Sequence, residues 1–216
     1  MENKCLLLYN NTHYLRGYYL HMRTHEGQAR VLKEHEFQQV IDHTAATSRY
    51  PERDIALLQI SYRSMLRVME ISKLTLDDVL AIDGTLQQNI TLRKVGTKNK
   101  KGGKAFFSHP DLRSALSTYV QIRSTISTDS RVLFLSQKLS PFSSNSMSRL
   151  FTTLYQRANA YGCTSHTGRR SGASNLMKSG ANIYQIKSIL RHENIQTTAR
   201  YIEEDEETLA QLIRNV

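Results

Sequence analysis

An α+β fold, mostly helical with one small antiparallel sheet, is what the residue pattern of this 216-residue chain predicts. Three observations carry that expectation. Apolar residues recur at helical spacing over most of the chain after Val31. That period breaks once, where VLAID, NITLRKV and KAFFS supply short β-branched or aromatic runs. The pieces between those runs, DGTLQQ and GTKNKKGG, are rich in residues that favour turns.

Residues 1–30, which contain YNNTHYLRGYYLHMRTHEGQAR, hold neither a helical nor a strand period and are expected to form an arm. From Val31, the segment LKEHEFQQVIDHTA places Phe37, Val40 and Ile41 on one helical stripe. Pro51 suits the first turn of a second helix, expected to run through IALLQISYRSMLRVMEI, so the pair reads as an αα-hairpin. The three strand-like runs follow. Helical spacing then returns over residues 111–124, 146–160, 168–178 and 183–190, with Gly180 as a C-terminal stop for the third. A short strand-like VLFLS occupies residues 132–136, and SPFSSNS at 140–146 reads as a loop too short to link domains. One domain over residues 31–216, preceded by the arm, is the expected organisation.

Charge narrows the choice of partner. The chain has 29 Lys+Arg against 19 Asp+Glu, a formal net charge of +10, so an anionic polymer is the expected ligand. A membrane surface is the competing anion. Against it, mean hydropathy is -0.47 and no apolar run approaches the roughly 20 residues of a membrane span. The opening MENKCLLLYNN carries too short an apolar core for a secretory signal, so a cytoplasmic protein is expected. Cys5 and Cys163 lie far apart and form no CxxC. Reduced thiols, with neither a disulfide framework nor a metal-ligand cluster, are the expectation.

The chemistry concentrates in the last quarter. SHTGRRSGASNLM (residues 165–177) sets Arg169 three positions after His166, a spacing that lets an imidazole and a guanidinium meet one ligand on a helix face. ILRHENIQTTARY (residues 189–201) follows, with Tyr201 nine residues after His192. A guanidinium matches phosphate oxygens with paired N–H donors at any working pH, and imidazole passes protons near neutrality. Taken singly, a His-x-x-Arg is a solvated pair, a late tyrosine is a surface residue, and a basic hairpin is a charged loop that blocks edge pairing. Their joint order points instead to a tyrosine that attacks a phosphodiester.

H-x-x-R (His166, Arg169), L-x-H (Leu190, His192) and T-T-x-x-Y (Thr197, Thr198, Tyr201) resemble the carboxy-terminal signature of the tyrosine recombinases, or phage-type integrases. The family's R-x-x-E-x-x-x-L stands upstream as Arg67, Glu70 and Leu74, and its lysine-bearing hairpin as KNKKGGKAFFS. The resemblance spans about residues 31–216 in family order. It implies that Tyr201 forms a 3′-phosphotyrosyl link and frees a 5′-hydroxyl. Arg67 and Arg169 would clamp the non-bridging oxygens in place of metal ions, so that no cofactor is needed. His166 and His192 would donate hydrogen bonds or shuttle protons, and a hairpin lysine would protonate the leaving oxygen. Lys100 is favoured for that last role, with Lys98 and Lys101 as competitors. Glu70 is read as orienting the site.

Three positions depart from the family pattern. Arg191 stands where glycine is usual before the histidine, Met65 replaces a common glycine before Leu66 and Arg67, and Arg170 stands where histidine is frequent. DNA contacts are expected from Arg93, Lys94, Lys98, Lys101, Lys104, Arg170 and Arg191. Only about 30 residues precede the matching region, as in the short, invertase-like fimbrial-switch recombinases. The implied activity is site-specific integration, excision or inversion of a DNA element on double-stranded DNA, by a homo-tetramer with accessory or host recombination proteins as candidate partners. A type IB topoisomerase-like nicking enzyme and a non-catalytic DNA-binding regulator are the alternatives. After Tyr201, Leu209, Leu212, Ile213 and Val216 share one helical stripe, which docks either on its own core or on a neighbouring protomer.

Overall fold

A computed structural model provides the structure and describes residues 29–92, 103–199 and 213–214. The arm therefore lies outside the described residues except for its last two positions, as do Lys98, Lys100, Lys101, Arg93, Lys94 and Tyr201.

The predicted αα-hairpin forms as α1 (Glu34–Thr47) and α2 (Pro51–Arg63). The stripe of Phe37, Val40 and Ile41 is buried as its spacing requires, and Phe37 stacks on Tyr62 with ring centroids 3.8 Å apart. The second helix is shorter than expected. It ends at Arg63, Met65 takes a left-handed φ of 52°, and a new turn α3 (Val68–Ile71) begins after Arg67. Apolar spacing did not reveal this break because Leu57, Leu58 and Ile60 before it and Leu66, Val68 and Ile71 after it are all buried. A second correction concerns VLAID, expected as a strand. Its start belongs to α4 (Leu76–Val79), where the amide and hydroxyl of Thr75 both donate to the Asp78 carboxylate, at 2.8 and 2.7 Å. A reciprocal cap of this kind starts a helix regardless of the β-branched residue that follows.

The sheet among the described residues has two strands, β1 (Asn89–Thr91) and β2 (Lys104–Phe106), paired antiparallel with Ile90 opposite Ala105. Only those two central residues are buried, so one face rests on the core. VLFLS contributes isolated bridges, Thr75 to Val132 and Leu135 to Pro141, not a strand. The later helices are α5 (Pro110–Thr125), α6 (Ser144–Arg157), α7 (Thr167–Lys178), α8 (Ile183–Leu190) and α9 (Ile195–Ala199). His109, Ser143 and Asn182 accept backbone N–H bonds at the starts of α5, α6 and α8.

Two glycines decide how α7 meets α2. A Cβ at Gly172 would lie 2.2 Å from the Tyr62 carbonyl oxygen, and one at Gly168 would lie 2.5 Å from Ser61 Oγ. The helices therefore approach backbone to side. This contact seats Arg169 beneath the turn at Met65. A small apolar cluster of Met65, Ala173, Ile186 and Leu190 closes the space below it.

Candidate active site

Arg67 is fixed from its own turn. Its amide donates to Glu70 Oε2 at 2.6 Å and its guanidinium to Glu70 Oε1 at 3.1 Å, which leaves the side chain 37% exposed. Glu70 also accepts from Arg191 at 2.9 Å. Burial acts to raise the Glu70 pKa, but Arg191, the Arg67 amide and the charges of Arg67 and Arg169 outweigh it and hold the carboxyl below its ordinary value. Glu70 is thus an anionic brace between two arginines.

Arg169 lies deeper, at 1% exposure. Its guanidinium donates to the carbonyl oxygens of Met65 and Leu190 and contacts His192 Nε2 at 3.1 Å. Both carbonyls sit beside left-handed turns, since Leu190 precedes Arg191, whose φ is 54°. The two positions where glycine would be usual are therefore positions of positive φ, and one buried arginine ties them together. A guanidinium has no acceptor, so His192 Nε2 accepts and Nδ1–H donates to Thr198 Oγ1 at 3.0 Å. Thr198, fully buried in α9, connects the histidine to the segment leading to Tyr201. Desolvation, then the charges of Arg169, Arg67 and Arg191, lower the His192 pKa to about 4.

His166 stands at the N-cap position of α7, makes no cap hydrogen bond with its side chain, and is exposed. Desolvation and the charges of Arg169 and Arg67 lower its pKa as well. The structure thus brings Arg67, His166, Arg169 and His192 together in two layers. Arg67 and His166 face solvent, with Arg169 and His192 behind them. Arg67 and His166 are open to a phosphate, and the positive charge of Arg169 lies buried behind them, a set suited to a phosphoryl group that gains charge as it is attacked.

Three expected DNA contacts are described. Lys104 is exposed on β2. Arg170 turns inward instead: it is 7% exposed, and its guanidinium donates to the Ala29 carbonyl. Arg191 is a second correction, with its side chain 12% exposed and its guanidinium on Glu70 and backbone oxygens. A guanidinium withdrawn from water needs such partners, so neither arginine presents a free fork at the surface. The brace between Arg191 and Glu70 was not legible in the sequence, because the two lie 121 positions apart.

Comparison with known proteins gives the family. Residues 30–208 match the model of the phage integrase family. The tyrosine recombinase XerC of Leptospira interrogans is 26% identical over 75% of this chain and 50% of its own length. The tyrosine recombinase XerD of Staphylococcus haemolyticus is 29% identical over 79% of this chain and 57% of its own. The chain spans about half the length of these curated relatives. In fold it resembles the XerA recombinase, with a TM-score of 0.73 at 22% identity over 89% of this chain and 66% of that one. It also resembles XerH bound to a palindromic difH substrate, with a TM-score of 0.69 at 18% identity over 87% and 53%. With the family model matched over residues 30–208, the chain belongs to the phage integrase family.

Proposed function

We propose that this chain is a tyrosine-type site-specific recombinase that cuts and rejoins double-stranded DNA to integrate, excise or invert a DNA element. The observation that carries the reading is the cluster of Arg67 and His166 over the buried Arg169 and His192, linked through Thr198 to the segment that precedes Tyr201 in sequence. Tyr201 Oη gives its proton to the neutral His166 imidazole and attacks the scissile phosphorus, an O–P bond forms, and the bond from phosphorus to the 5′-oxygen breaks. Lys100 supplies the proton that the leaving 5′-oxygen takes. Attack by the 5′-hydroxyl of another strand reverses the step and releases the tyrosine, so the phosphoester energy is conserved. A free tyrosine ionises near pH 10, and reaching phenolate at pH 7 costs about 4 kcal/mol, so the surrounding cations do necessary work. Relatives named as tyrosine recombinases support the reading. A homo-tetramer on paired sites, in the cytoplasm, is the assembly it implies.

Tyr201→Phe tests it directly. On a nicked DNA that traps the cleaved state, wild type should give a protein–DNA adduct that survives denaturing electrophoresis, with EDTA present. Tyr201→Phe should bind the same DNA and give none. An adduct that persists in the variant moves the nucleophile elsewhere. No adduct from wild type favours a DNA-binding regulator, and relaxation of one duplex without a second site favours a topoisomerase-like enzyme.

A further inference from the structure

Arg191 occupies a backbone position that suits glycine, with φ of 54°, yet its side chain is placed with care. One terminal nitrogen donates to Glu70 Oε2 at 2.9 Å. The other donates to the Ile189 carbonyl at 2.8 Å and to the Lys104 carbonyl, on β2, at 3.3 Å. The aliphatic stem lies over Gly103, where an added Cβ would fall 2.2 Å from Arg191 Cδ and 2.8 Å from Cγ. One side chain therefore touches three separate parts of the site. These are the turn that carries Arg67, the strand that closes the lysine hairpin, and the turn that carries His192.

We infer that Arg191 is a positioning residue, a latch that ties strand β2 and the turn before His192 to the Arg67–Glu70 turn and so fixes where Arg67 meets the scissile phosphate. The inference rests on the strand-exchange reading and adds to it a part that this chain builds from its own departure from the family pattern. A glycine at residue 191 would accept the left-handed backbone without the steric cost an arginine bears, but it would leave Glu70 to Arg67 alone and nothing across to Lys104. Backbone comfort and catalysis are set against each other at this residue. A planar fork with several fixed donors is what lets one side chain serve a carboxylate and two carbonyls at once, which a lysine cannot reproduce.

The test uses the full chain with Arg191→Gly and Arg191→Lys. Arg191→Gly should melt no lower than wild type and bind DNA with unchanged affinity and salt dependence, while adduct formation slows on the order of 10- to 100-fold, as small misplacements of reacting groups do. Arg191→Lys should recover part of the rate. Gly103→Ala, which drives a Cβ into the arginine stem, should slow the wild-type background and add little loss on top of Arg191→Gly. Amide exchange reads the latch without any reaction. Leu92 N–H and Phe107 N–H bond across the hairpin to Gly103 and Gln88 at 2.9 and 2.6 Å, and both should exchange faster in Arg191→Gly. Unchanged exchange and rate overturn the latch. Weaker DNA binding with a shallower salt dependence would make Arg191 a phosphate contact instead, and a lower melting temperature with a proportionate loss of activity would make it a packing residue. If wild type never forms an adduct, the strand-exchange reading and this catalytic role fall together, while faster exchange would still show the brace.

Discussion

His192 shows how burial, together with one charged contact, sets both a protonation state and a fold dependence on pH. Its Nε2 accepts from a permanently charged guanidinium, so a proton there would face Arg169 directly. The neutral ring is the form the fold prefers, with a pKa of about 4. The unfolded value is about 6.5. Between these two, the unfolded chain binds the extra proton and the folded chain does not, so the stability supplied by His192 is complete above about pH 6.5 and is lost as pH falls toward 4. The free protein should therefore show a melting temperature that drops on acidification from about pH 7 to about pH 4, and His192→Gln should flatten that drop relative to wild type. An equal drop in both would place the titration elsewhere. At this scale the sequence pointed to the candidate reacting groups, because their spacing is local: His166 stands at the N-cap of the helix that carries Arg169, and His192 lies nine residues before Tyr201. It did not announce their partners. The Met65 carbonyl that takes Arg169 and the Glu70 that takes Arg191 come from 104 and 121 positions away, and no local period encodes a contact of that range.

The elements divide the same way. Helices with a buried stripe were legible, and residues 183–190 were read to the residue from their spacing; in the structure Asn182 caps the start of that helix and the left-handed Arg191 ends it. The failures lie where local capping overrides the apolar pattern, at Thr75–Asp78, and where a left-handed residue breaks a helix whose flanks are both buried, at Met65. That break matters, since it frees the Met65 carbonyl for Arg169 and starts the turn that holds Arg67. Its geometry depends in turn on how closely α7 lies on α2. Helix propensity alone says Gly172→Ala should stabilise α7 by about 1 kcal/mol. The contact decides otherwise, because the new Cβ would stand 2.2 Å from a backbone oxygen of α2, which cannot rotate away as a side chain can, and 2.8 Å from Met65 Cγ. Overpacking of this kind typically costs about 1–3 kcal/mol, so the net effect should be a lower melting temperature and a displaced Arg169. Thermal melts check the first and adduct yield the second; a Gly172→Ala protein as stable and as active as wild type would mean the helices separate at little cost.

Across the whole molecule, the net charge of +10 pointed to an anionic polymer as the partner without any fold information, whereas the proposed assembly depends on a feature whose target the sequence does not name. Leu209, Leu212, Ile213 and Val216 make one apolar stripe after Tyr201. Of these, Ile213 is described, and it is 76% exposed in the single chain. An isolated exposed isoleucine is unremarkable, but a four-residue stripe gains by being covered, roughly 1.5–3 kcal/mol for each aliphatic side chain fully buried. If a neighbouring protomer covers it, the segment that carries the nucleophile is placed only when a second copy is present, and head-to-tail exchange closes into a ring suited to a tetramer. That arrangement would prevent a lone protomer from cutting DNA it cannot rejoin to a partner. Deleting residues 206–216 should then leave a folded protein that binds one site as a monomer, with a melting temperature near that of wild type, and should abolish the cooperative occupancy of paired sites seen by gel shift or analytical ultracentrifugation. Recombination between two sites should fall further than single-site binding. A truncated protein that melts early or aggregates would show that the stripe packs on its own core, and the dependence of cleavage on a neighbour would have to come from another surface.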